Sequence, residues 1–156
     1  MKVLVYSIKD YERKYLESAN KFSFQVAFTD KALSVATARK AKGYDAVCIF
    51  THDAADEPVL EILAKGGTRF IAIRAAGYDN VDIGKALQLG IRVANVPAYS
   101  PYSVAEHATA LILALNRRLV AADRQVHHRD FTVSKLIGFD LHGKTAGIIG
   151  TGKIGS

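Results

Sequence analysis

The sequence predicts an α/β fold in which a parallel sheet is covered by helices on both faces. Three observations carry the prediction. Short β-branched runs recur from the first residue onward, and polar, helix-prone stretches alternate with them. The runs are also too continuous in apolar character to leave one face wet, as strands of a parallel sheet buried on both sides require. At 156 residues, 49% hydrophobic and 23% charged, the chain has the size of an ordinary globular domain with its own core.

The expected strands, in order, are KVLVY, FQVAF, AVCIF, RFIAI and IRVAN. Helices fit between them over Asp10 to Asn20, Lys31 to Ala41, Pro58 to Lys65 and Asp82 to Leu89. A β-α-β-α rhythm with right-handed crossovers gives a doubly wound layer, and at five strands the flavodoxin-like order is expected. Ligands of such sheets collect at the carboxyl ends of the strands.

The segment SPYSVAEHATALILALNRRLVAADRQVHH then breaks the rhythm and predicts one long helix. Pro101 suits a first turn, and Ser103 with Glu106 has capping-box spacing. Val104, Ala108, Leu111, Ile112, Leu115, Leu119 and Ala122 recur mostly at three- and four-residue steps as one apolar stripe. From Val104 to His128 such a helix would reach about 38 Å, more than a crossover on a small sheet needs, so it is expected to join two domains or to form a subunit contact. FTVSKLIGFDLHGK reads as a connecting segment, TAGIIG as a new strand and TGKIGS as the turn after it. The expected division is a flavodoxin-like domain over 1–100, the long helix over 101–130, a connection over 131–144 and the start of a truncated dinucleotide-binding domain over 145–156.

Composition narrows the function classes. The net charge of +6 is spread among acidic residues with no aromatic interleaving, which speaks against a nucleic-acid surface. No apolar stretch has membrane-spanning length, and MKVLVYSIKD meets charge too early for a secretory segment, so a soluble cytoplasmic protein is expected. The single cysteine, Cys48, lies within AVCIF and reads as a small buried side chain. The five histidines show no metal spacing, and Glu106 and His107, adjacent on a helix, point about 100° apart and form no dyad.

Three stretches can carry chemistry. Gly150, Gly152 and Gly155 form G-x-G-x-x-G after the last predicted strand: the first glycine permits the tight turn, the second lets backbone approach a pyrophosphate, and the third allows close helix packing. The amides around Lys153 and Ile154 would face that anion. The ribose-binding acidic residue would fall past Ser156, which leaves NAD and NADP both open. In IRAAGYDNVD, a positive φ at Gly77 would expose successive amides suited to a small carboxylate; the alternative is an ordinary turn in which Asp79 or Asn80 caps the next helix. In NVPAYSPYSVAEHA, Tyr99 falls at the same sheet edge as Gly77, together with Lys9 after the first strand and Phe50 after the third.

Taken together, VYSIKDYERKYL, YDAVCIF, RFIAIRAAGYDNVD, RVANVPAYSPYSVAEHA, LNRR and GKTAGIIGTGKIG resemble the D-isomer-specific 2-hydroxyacid dehydrogenases, most closely those of the fermentative D-lactate type. The resemblance spans the whole chain. It implies a flavodoxin-like substrate domain, a crossing helix, and a Rossmann domain inserted before a final helix returns, so that this sequence is expected to be an amino-terminal fragment, inactive by itself. It implies hydride transfer between NAD, or NADP, and a small 2-keto or 2-hydroxy acid, with pyruvate and D-lactate expected. Related substrates (glyoxylate, hydroxypyruvate, a phosphoglycerate) and a nucleotide-responsive corepressor-like binding role are the alternatives. The arginine and the histidine–glutamate pair of the family's chemistry fall downstream of Ser156. By resemblance, Ala76 and Gly77 match the carboxylate-binding loop, Tyr99 a pocket tyrosine, Lys9 a basic position at the entrance and Val104 the nicotinamide border. Gly150, Gly152, Lys153, Ile154 and Gly155 match the pyrophosphate loop. A homodimer through the long helix is expected, and neither a metal, a membrane nor a nucleic acid is. The lone TAGIIG strand, without neighbours for its backbone groups, is expected to be disordered, mispaired or covered by another chain.

Overall fold

Four of the apolar runs each supply a four-residue strand and the fifth a three-residue one: β1 (Lys2–Val5), β2 (Gln25–Phe28), β3 (Ala46–Ile49), β4 (Phe70–Ile73) and β5 (Arg92–Ala94). They form one sheet of order β2-β1-β3-β4-β5, and every pairing is parallel. This is the flavodoxin-like order. The computed structural model describes residues 1–156 and divides them into two units, Met1–Tyr99, which contains the sheet, and Ser100–Ser156.

The order dictates which face each connection covers. The chain leaves β1 in one direction, through α1 (Asp10–Ala19), to reach β2. It then returns across β1 and continues in the opposite direction, through α2 (Glu57–Lys65) and α3 (Ile83–Gln88), to β5. Right-handed crossovers therefore put α1 on one face and the other three connections on the other. On the well-covered face Leu4, Tyr6, Val47, Ile49, Ile71 and Ile73 pack with Val59, Leu60, Leu63 and Ala86 in one buried cluster. On the other face α1 buries no residue completely, and Val3, Val26, Phe70 and Ala72 help line an apolar groove of about 580 Å³. Both faces carry helices, as expected, but coverage is unequal because one helix cannot span five strands.

Local chemistry sets the helix limits. Asp56 Oδ1 accepts the Val59 amide at 3.4 Å to start α2, whose apolar Val59, Leu60 and Leu63 fall on the core side. Asp82 Oδ1 accepts the Lys85 amide at 2.8 Å, so Asp82, rather than Asp79 or Asn80, caps α3. The predicted helix over Lys31 to Ala41 is reduced to a 3-10 turn at Ala38–Ala41. The Thr37 hydroxyl causes this: it donates to the Ala32 carbonyl at 2.6 Å and accepts the Ser34 amide at 2.9 Å, taking groups an α-helix would use.

Tyr6 is fully buried, and its hydroxyl donates to the Thr37 carbonyl at 3.1 Å. Burial, followed by the charge of Asp53, pushes its pKa up to about 12. The folded state therefore favours the protonated phenol, and this contribution is complete below the ordinary tyrosine pKa of about 10 and lost as pH rises from there toward 12. Thermal melts of the wild type are expected to fall more steeply between about pH 10 and 12 than those of Tyr6→Phe; parallel curves would refute the assignment.

In the second unit α4 (Pro101–Asn116) begins with Ser100 as its cap, the Ser100 Oγ accepting the Ser103 amide at 3.3 Å. The long helix expected from Val104 to His128 is not continuous. Arg118 takes a left-handed conformation (φ 52°) between α4 and α5 (Leu119–His127). Asn116 turns its side chain out to clasp Phe139, its Nδ2 donating to the Phe139 carbonyl at 2.7 Å and its Oδ1 accepting the Phe139 amide at 3.1 Å. TAGIIG forms no strand, and Ile148 and Ile149 are exposed. A β-strand needs a neighbour for its backbone groups, and this one has none. No helix is long and apolar enough to cross a membrane.

Candidate functional site

The β1 and β3 strands are neighbours, yet the connections that leave them go to opposite faces, so a crevice opens at their carboxyl ends. A cleft of about 730 Å³ occupies it. Phe50 enters from the loop after β3, Arg74 to Gly77 follow β4, Tyr99 comes from the segment after β5, and Leu16 closes the α1 side.

Arg74 ties this edge together. Its side chain is only 11% exposed. Nη1 donates to the Cys48 carbonyl at 3.3 Å, and Nη2 donates to the Tyr6 and Ser7 carbonyls at 3.2 and 3.3 Å. These oxygens lie at the ends of β1 and β3, where the ladder runs out. The guanidinium carbon stands 5.3 Å from the Phe50 ring centre, and Nε lies 3.5 Å from Glu12 Oε1. The charge is thus paired with Glu12 and both Nη atoms are spent on the scaffold, while Nε is buried without a hydrogen bond, so Arg74 shapes the cleft rather than offering a free fork to an anion.

Ala76 and Gly77 line the wall, and their amides donate to no other group of the protein. Gly77 does not take the positive φ expected of it. A Cβ built there would meet nothing within 4 Å, so the glycine leaves room instead of permitting a turn. Tyr99, 63% exposed, also lines the cleft. Of the sequence-predicted acid-site residues, Ala76, Gly77 and Tyr99 share this cleft, with Phe50, while Lys9 does not line it. Lys9 precedes α1 at the same sheet edge, its backbone exchanging bonds with Glu12 at 3.1 and 2.9 Å and its side chain exposed.

Cys48, half-buried rather than fully buried as expected, lines the groove on the α1 face and lies against Arg74. Burial pushes its thiol pKa up and outweighs the opposing effect of the Arg74 guanidinium, whose Nη1 is 3.7 Å from Sγ. Iodoacetamide at pH 8 is expected to label it at least about tenfold more slowly in the native protein than in urea-unfolded protein; equal rates would contradict this burial.

In the second unit Gly150 has φ 96°, a value for which glycine is needed, and residues 152–155 form a turn closed by the Ser156 amide donating to the Gly152 carbonyl at 3.0 Å. A Cβ at Gly155 would collide with the Gly150 carbonyl oxygen. Gly150 and Gly155 thus meet in a tight turn that no strand or helix flanks. Val104 is half-buried on α4.

The model of the D-isomer specific 2-hydroxyacid dehydrogenase catalytic domain matches residues 3–149. The chain belongs to this family. It is 49% identical to the D-lactate dehydrogenase of Escherichia coli (strain K12), over 99% of this chain and 47% of that protein. The apo-structure of the Escherichia coli enzyme superposes with a TM-score of 0.88, covering 99% of this chain and 50% of that one. The pyruvate reductase of Chlamydomonas reinhardtii superposes at 0.91 with 41% identity, over 99% and 46%. An NAD-complexed D-isomer specific 2-hydroxyacid dehydrogenase from Lactobacillus delbrueckii ssp. bulgaricus is 29% identical with a TM-score of 0.69, over 99% and 48%. The chain thus spans about half the length of the curated relatives it matches.

Sequence reasoning gave Arg74 no role. The signal was an arginine directly after a buried strand, in IAIRAAG, where a cation can reach the carbonyls of neighbouring strand ends.

Proposed function

We propose that this chain is the substrate-binding part of an NAD-dependent D-2-hydroxyacid dehydrogenase that interconverts pyruvate and D-lactate. The observation that carries the reading is one cleft, at the carboxyl ends of parallel strands, uniting the unused Ala76 and Gly77 amides with Tyr99 and an apolar wall. Two amides on one wall suit the carboxylate of a small acid. The Tyr99 hydroxyl can donate from the same cleft, and Phe50 and Leu16 suit a methyl group.

No residue of this chain is assigned to proton transfer. In this reading the histidine, its glutamate and the carbonyl-polarising arginine belong to a further part of the polypeptide, consistent with relatives about twice as long. NAD, when bound, supplies or accepts the hydride. Gly150, Gly152, Lys153, Ile154 and Gly155 would hold its pyrophosphate, and Val104 would border its nicotinamide. The NAD-complexed relative supports that cofactor over NADP. The same reading makes residues 1–100 the substrate domain and 145–156 the entry to the dinucleotide-binding domain. It places the protein in the cytoplasm as a homodimer that buries Leu111, Ile112, Leu115 and Leu119, all at least half exposed here.

The test is purification of the complete gene product and measurement of NADH consumption with pyruvate, with stereospecific assay of the product. Rapid oxidation yielding D-lactate is expected. NADH binding without reduction of pyruvate or any other 2-keto acid would refute the reading.

A further inference from the structure

A carboxylate with no ion-pair partner is buried behind the cleft. Asp53, in the loop after β3, is 1% exposed. Its Oδ1 accepts the Ser7 hydroxyl and the Leu33 amide, both at 2.7 Å, and its Oδ2 accepts the Phe50 amide at 2.6 Å. Three separate loops are therefore fastened to one side chain. Burying a charge without a counter-ion is costly unless its hydrogen bonds are complete, and here three donors, from the loops after β1, β2 and β3, supply them.

Asn80 completes the arrangement from the other wall. Its Nδ2 donates to the Asp53 carbonyl at 2.7 Å and to the Phe50 carbonyl at 3.0 Å, and its own carbonyl accepts the Ala55 amide at 2.9 Å. Phe50 is thus held at both backbone ends, by Asp53 at N–H and by Asn80 at C=O, while Arg74 lies over its ring. Asn80 is three residues beyond Gly77, so the clamp joins the Phe50 wall to the Gly77 wall. Ser7, the third loop's contact, has φ 50°, a conformation that non-glycine residues keep only where the surroundings hold it.

We propose that Asp53, acting with Asn80, is a positioning residue for the 2-keto acid: it sets the separation of the Phe50 and Gly77 walls without touching the acid. The proposal rests on the dehydrogenase reading. The chemistry of the two oxygens makes it specific. Each faces a backbone N–H, so an asparagine can satisfy only one. Turned with its amide nitrogen toward the Ser7 hydroxyl, which can accept, Asp53→Asn keeps the Phe50 bond and loses the Leu33 bond. Stability and substrate affinity therefore separate in this variant.

The experiment uses the complete enzyme and measures KM for pyruvate, KM for NADH and the melting temperature. Asp53→Ala and Asn80→Ala are expected to raise the pyruvate KM about tenfold or more, the free-energy scale of a lost hydrogen bond to a charged or buried group. The NADH KM should stay within about twofold. Asp53→Asn should melt lower than wild type yet keep a pyruvate KM much nearer to it. Leu63→Ala, a core variant away from the cleft, should melt lower with both KM values unchanged. A pyruvate KM unmoved in Asp53→Ala and Asn80→Ala, or rising equally in Leu63→Ala, overturns the proposal. If Asp53→Ala does not fold, Asn80→Ala and Asp53→Asn decide it. If the wild-type enzyme has no turnover, the dehydrogenase reading fails separately, and amide exchange decides the clamp. Protection at Phe50 and Ala55 should fall at least about tenfold in Asn80→Ala with Ile71 unchanged, and unaltered protection at both overturns it.

Discussion

Replacing Arg74 by methionine is expected to destabilise the first unit by about 3 kcal/mol, the scale of removing one partner from a buried charged network. Methionine keeps much of the stem volume, so the loss is electrostatic rather than a cavity. The Tyr6 and Ser7 carbonyls lose their donor, the Cys48 carbonyl keeps only the Tyr6 amide, and Glu12 loses its cation while its side chain remains only 17% exposed. Arg74→Lys keeps the charge, but a point ammonium cannot reach the Cys48, Tyr6 and Ser7 oxygens in one geometry, so an intermediate loss is expected. Urea unfolding measures both: the midpoint should fall with an unchanged slope. A change below about 0.5 kcal/mol in Arg74→Met would mean that water serves these carbonyls equally well.

Gly77→Leu is expected to do the reverse, leaving stability intact and removing activity. The backbone at Gly77 is not left-handed and no atom lies within 4 Å of a built Cβ, so the folded state should change by no more than about 0.5 kcal/mol. The side chain would occupy cleft space beside the Ala76 and Gly77 amides. In the complete enzyme kcat/KM for pyruvate should fall at least about 100-fold, with Gly77→Ala falling less. Unchanged kcat/KM in Gly77→Leu would place the acid elsewhere.

The sheet was legible because each strand is a continuous apolar run, and the order followed from strand number and crossover hand. The failures share a cause: they turn on contacts distant in sequence or on side chains that compete with backbone. Nothing in LNRRL announces a left-handed Arg118, since the competing group is Asn116, reaching a residue 23 positions on. The helix expected at Lys31 loses to a single threonine hydroxyl. Asp53 is one of four polar residues in THDAAD, and its role depends on Ser7 and Leu33, 46 and 20 positions away. Gly77 was found for a conformational reason that the structure replaces with a spatial one. The grouping of Ala76, Gly77 and Tyr99 came through, because strand carboxyl ends are fixed by topology; Lys9 shares the edge without reaching the wall.

The most direct measurement is a crystal structure of the complete protein with NADH and oxamate, a non-reducible pyruvate analogue. The account predicts the oxamate carboxylate within hydrogen-bonding distance of the Ala76 and Gly77 amides, with Phe50 and Tyr99 on the facing walls. Oxamate seated elsewhere, with this cleft filled only by solvent, would contradict it.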